Sequence, residues 1–159
     1  MRTPASIAGH PIHPMVVPIA IGGFLLSFVF DIVCLATGSM DPWTTVAYYT
    51  MIGGIVGALI AAVFGFTDLL SLPAGTTRHI GLTHMGINLT VVVLYAVNAW
   101  LRHGNPESMK LPMFLSLIGV LLLIVSGWLG GRMVYEAGVG VSGGEIPATP
   151  QRPARRVEA

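Results

Sequence analysis

Four apolar runs, over residues 15–36, 44–66, 80–101 and 111–134, constrain this chain more than any other feature. Each reaches the roughly 20 residues that carry a helix across the hydrocarbon core of a bilayer. In lipid every backbone N–H and C=O must find its partner within the protein, so a run of that length is a helix. Membrane strands need only about 9–11 residues and alternate polar with apolar side chains, and these runs do not alternate. The whole chain is 53% hydrophobic and 9% charged over 159 residues, outside the range of soluble domains. The expected fold is all-α: a polytopic membrane protein built as an antiparallel bundle of four transmembrane helices, with the lipid bilayer as its first partner.

The first run is too long for the apolar core of a cleaved signal peptide, and no small-residue cleavage pattern follows it, so it is expected to stay as a helix. Basic residues set the orientation. Arg2, Arg78, Arg132, Arg152, Arg155 and Arg156 fall on one side of the spans, Arg102 and Lys110 on the other, which puts both termini in the cytoplasm. The net charge of +1 says nothing about nucleic acid, and with no basic patch with interleaved aromatics no nucleic-acid partner is expected. Cys34 is the one cysteine, so no internal disulfide forms. The transmembrane domain is expected over residues 1–136. The glycine- and then proline- and arginine-rich stretch 137–159 has too little apolar surface to pack and is expected to be a disordered tail.

Small residues mark where helices meet. Gly53, Gly57, Ala61 and Gly65 recur every fourth position in the second span, and Gly127 and Gly131 share that spacing in the fourth. They predict close helix contact, or room for a flat ligand. Polar residues inside spans are expensive and turn toward the bundle interior. In the third span His84, Asn88, Tyr95, Asn98 and Arg102 share one face of a helix of 3.6 residues per turn. A further coincidence links two spans: His13 and Asp31 lie 18 positions apart, as do His84 and Arg102. At about 1.5 Å of rise per residue that interval is nearly the apolar thickness. Asp31 and Arg102 are expected to form a structural ion pair, since either alone in hydrocarbon is costly.

The other end collects His10, His13, Asp68, His79 and His84. Imidazole is the commonest metal ligand among side chains and an axial ligand of haem iron. In an up-down-up-down bundle the first and third helices are diagonal, and bundles build cofactor sites from facing helices. His13 and His84 are therefore the expected ligands of a b-type haem or a metal. Asp68, His10 and Asn88 are the expected supporting residues, and a quinone headgroup pocket is the further option. In "HPIHP" each histidine precedes a proline, which biases it toward extended backbone and predicts His13 just outside the helix or at its cap. Either His79 or His10 can replace it as partner of His84. No dinucleotide or phosphate loop, nucleophile elbow, HExxH or cysteine pair is present, and His103 has no second imidazole near it.

The stretches "GHPIHPMVVPIAIG" and "GFTDLLSLP", the His84–Asn88 helix ending at Arg102, and "SGWLGGRMVYEAGVGV" resemble, in order, the bacterial membrane family catalogued as domain of unknown function 2231. The similarity covers residues 9–141 and matches His10, His13, Asp31, Asp68, His84, Asn88, Arg102, Gly127, Gly130, Gly131 and Tyr135. It implies a four-helix protein of the bacterial inner membrane, in a family some of whose members are joined to, or encoded beside, cytochrome and iron–sulfur modules. Two functions follow as expectations. One is a redox subunit, holding haem b or a metal and exchanging electrons with a quinone or a redox protein. The other is a non-catalytic scaffold or assembly subunit, bound to other membrane subunits or to copies of itself, with structural histidines. Proton passage along the third-span stripe is a third option, weakened because only His84 on that face titrates near neutrality.

Overall fold

The computed structural model describes residues 3–104 and 109–141. Among them lie the helices α1 (Ile12–Thr37), α2 (Trp43–Leu70), α3 (Thr76–Gly104) and α4 (Lys110–Tyr135), preceded by a two-stranded hairpin of β1 (Ser6–Ile7) and β2 (His10–Pro11). All four helices are long and apolar enough to cross a membrane. The chain is thus a multi-pass membrane bundle. α1 packs along α2 and α3 along α4, and α2–α3 and α1–α4 contacts close the ring. α1 and α3 are diagonal, and both run from the end where α1 and its hairpin begin and α4 finishes to the opposite end.

The helices outrun the apolar segments by up to about a turn, because polar residues at bilayer depth can still complete a helix. The expected connection 67–79 therefore shrinks to residues 71–75, which puts Asp68, Arg78 and His79 on helices. α1 begins at Ile12, after Pro11, so His13 lies within the first helical turn. This corrects the expected cap position. Pro14 also falls in that turn, where a missing N–H leaves no bond unmade. At the far end Gly38 takes a left-handed φ of 66° and donates its N–H to the Cys34 carbonyl, the usual glycine stop. The hairpin turn has positive φ at Ala8 and Gly9, as a tight two-residue turn requires. After α4 the chain continues in hydrogen-bonded turns to Val141, where Val139 N–H reaches back to Met133 O at 3.0 Å. The greater part of the expected tail, residues 142–159, lies outside the described residues.

The core is narrow. Phe24 stacks on Tyr95 with ring centres 4.0 Å apart, and Ala20, Met51, Val91 and Ala99 surround them. Most large aliphatic side chains, Leu25, Val56, Ile60, Val93, Leu121 and Ile124 among them, point outward, as lipid-facing residues do. α1 and α2 touch backbone to backbone: a Cβ on Gly23 would lie 2.6 Å from Gly54. The glycine stripe needs correction here. Gly57 and Gly65 do face α1, but Gly53, like Gly127 in α4, has open space around it. Four residues turn a helix by about 400°, so an every-fourth-residue stripe drifts by about 40° per step and Gly53 has rotated out, leaving Gly54 at the contact.

Candidate functional site

The polar face of α3 meets partners at both ends of the bundle. At the termini end the rings of His13 and His84 lie 6.4 Å apart, centre to centre, with their planes at 82°. Each is half-buried, and each gives Nδ1 to a backbone carbonyl on the neighbouring helix. His13 bonds Ala61 O at 2.8 Å, and His84 bonds Ser126 O at 2.9 Å. A carbonyl oxygen only accepts, so in the neutral ring Nδ1 carries the hydrogen and Nε2 keeps its lone pair. No hydrogen bond to either Nε2 occurs among the described residues. Asn88 braces His84 by donating to its carbonyl at 2.8 Å and to Ser126 Oγ at 2.7 Å. Glycine makes room for both rings: a Cβ at Gly65 would lie 2.8 Å from His13 Nδ1, and one at Gly130 would lie 3.4 Å from His84 Cε1.

The other expected members of this cluster go elsewhere. Asp68 is buried, but its carboxylate accepts the Ala5 N–H at 3.0 Å and so fastens the N-terminal hairpin to the end of α2. Backbone carbonyls do for the imidazoles what Asp68 was expected to do. His10 sits exposed in the hairpin with Nδ1 3.1 Å from Ala8 O. His79 is exposed too. It precedes His84 by five positions, about 140° around the helix beyond a full turn, so the two rings leave α3 in different directions.

At the opposite end the polar groups are deeper and more fully paired. Arg102 donates Nη1 to Asp31 Oδ1 at 2.8 Å and Nη2 to Asp31 Oδ2 at 2.6 Å, a fork matched to a carboxylate. Its Nε donates to Asn98 Oδ1 at 2.9 Å. Asn98 in turn donates to Pro112 O and Ser116 Oγ, both at 2.8 Å. Tyr95 OH donates to Ser116 O at 3.3 Å. Asp31, Asn98 and Ser116 are fully buried and Arg102 is nearly so.

The sequence model of a family of predicted membrane proteins, DUF2231, matches residues 9–143, a stretch that takes in all four helices and both polar clusters. The chain belongs to the DUF2231 family. Comparison with curated proteins and with solved structures finds no match.

In this DUF2231 chain α4 supplies the partners that sequence reasoning missed. Ser116 and Ser126 anchor the two ends of the α3 stripe. Both are polar residues inside an apolar span, a signal that was available. It is weak, because a helical serine can bond its own preceding turn and so need not mark an interface. Gly130 and the carbonyls of Ala61 and Ser126 carried no signal beyond their place on a helix.

Proposed function

We propose that this chain is an electron-transfer subunit of the bacterial inner membrane, with both termini cytoplasmic and with His13 and His84 as the residues that would hold a b-type haem. One observation carries the proposal: two half-buried imidazoles on diagonal helices, 6.4 Å apart, each locked by a carbonyl in the tautomer that leaves Nε2 free. Among the described residues no third His, Cys, Asp or Glu joins them in a metal-binding group. A bare zinc ion asks the protein for three or four ligands, whereas haem iron brings four nitrogens and asks for two.

When bound, the haem would supply the electron carrier. The chain's own residues hold and tune. The Ala61 and Ser126 carbonyls orient the rings and make them more basic ligands, Asn88 steadies His84, and Gly65 and Gly130 let the rings lie close to neighbouring helices. A redox protein or a quinone is the partner this chemistry calls for.

A second proposal rests on the same bonds. His13 ties α1 to α2 and His84 ties α3 to α4, which is what a scaffold or assembly subunit would ask of them. An absorption spectrum of the detergent-purified protein, oxidised and then dithionite-reduced, separates the two. A sharp reduced α-band that disappears in both His13→Ala and His84→Ala supports the haem site. A colourless wild-type protein, purified from cells with ample haem, sinks it and leaves the scaffold.

A further inference from the structure

The end of the bundle away from the histidine pair carries an open cavity of about 260 Å³, lined by Thr44, Thr45, Tyr48 and Tyr49 of α2 and by Arg102 and His103 of α3. Among the described residues none of its lining side chains is acidic. Its floor is the unusual part. Arg102 is about nine-tenths buried, and a guanidinium has five N–H groups. Asp31 and Asn98 take three of them, so two have no acceptor among the described residues. A buried donor without an acceptor is costly, more so on a cation. The Tyr48 and Tyr49 hydroxyls and the His103 ring likewise make no hydrogen bond among the described residues. The cavity thus has a buried cation with two uncommitted N–H groups at its floor and hydroxyl and imidazole groups able to donate in its walls. Among the described residues, two carboxylates at this end are engaged: Asp31 by Arg102, and the exposed Asp41 by the Thr45 hydroxyl at 3.3 Å.

Depth narrows the ligand further. The lining residues occupy the first two turns of α2, which starts at Trp43, and the last turn of α3, which ends at Gly104. That is the level of lipid headgroups. Tyr49 and Trp100 project outward there, 68% and 74% exposed, like the aromatic residues that mark the membrane interface.

We propose that this cavity binds a phosphate group, through the free N–H groups of Arg102 together with Tyr48 and His103. A phosphate presents anionic oxygens that accept short, charge-assisted hydrogen bonds, which suits the N–H groups that Arg102 has left over. At this depth the phosphate source is an anionic phospholipid headgroup, or free phosphate entering from the aqueous side. The site lies a bilayer's thickness from the histidine pair and stands whether or not those rings hold haem.

The test is native mass spectrometry of the full-length protein, delipidated in detergent and then offered phosphatidylglycerol, phosphatidylcholine or inorganic phosphate. Arg102 is left intact because Asp31 depends on it, and Tyr48→Phe, His103→Gln and the double variant probe the cavity walls. Each single change should weaken binding by about ten- to a hundredfold, the worth of one hydrogen bond to a charged group, with the thermal transition unchanged. Preferential retention of phosphatidylglycerol, lost in the variants, assigns the site to lipid. Variant-sensitive binding of inorganic phosphate with no preference between the lipids assigns it to the free ion. Binding that the variants do not change, or no binding of any of the three, overturns the proposal.

Discussion

The two polar clusters of this bundle sit at opposite ends of the same pair of diagonal helices, yet they are finished differently. At one end Asp31, Arg102, Asn98 and Ser116 are buried and bonded to one another, which is how hydrocarbon tolerates charge. At the other, His13 and His84 are only half-buried, and each uses one ring nitrogen on a carbonyl and leaves the second without a partner among the described residues. We read the paired end as the closed, structural one, and the histidine end as the open one, where the proposed haem would be held.

The largest effect should come from unpairing the closed end. Asp31→Ala strands Arg102 in the core, a change that typically costs about 3–5 kcal/mol. We expect loss of most folded protein, read as the fraction surviving size exclusion in detergent. Replacing both partners with leucine should restore much of it. A double variant no better than Asp31→Ala would mean that the pair serves more than mutual neutralisation.

Gly65→Val strikes the open end through its neighbour, since even the first added carbon would lie 2.8 Å from His13 Nδ1. We expect about 1–3 kcal/mol of destabilisation from overpacking, together with a weakened or shifted haem absorption band. A full-strength, unshifted band would break the link between His13 and the haem. His84→Ala should cost less, about 1 kcal/mol or below for an interhelical hydrogen bond, while removing the haem spectrum altogether. That split, small in the melting curve and total in the spectrum, is what distinguishes the open end from the closed one. The smallest effect is expected at Gly127→Ala, where a methyl group meets open space. Its melting transition should stay within about 0.5 kcal/mol of wild type, and a larger drop would reveal a helix partner on that face.

The equal spacing of His13–Asp31 and His84–Arg102 acquires a physical cause in the fold. α1 and α3 run in the same direction, and His13 meets His84 at one end while Asp31 meets Arg102 at the other. Two parallel helices whose side chains come together at both ends have the same rise between those points, hence the same number of residues. The pattern is legible in the sequence, but its meaning requires knowing that the helices run alongside and in register. Asp68 shows the converse. A carboxylate near histidines suggests a ring partner, yet the Ala5 N–H claims it, because the first residues of the chain fold back as a hairpin over that end.

Local properties were enough to determine the four spans, the antiparallel order of the helices and the face of α3 that turns inward. Length and hydropathy decide insertion, and a period of 3.6 residues decides which side chains share a face. Partner choice needed the tertiary structure: His13 rather than His79 or His10 for His84, carbonyls rather than a carboxylate for the ring nitrogens, and Gly54 rather than Gly53 at the contact with α1. Each of these depends on how far a helix is rotated about its own axis and how closely its neighbour approaches. Packing among all four helices sets those quantities, and no single segment encodes them.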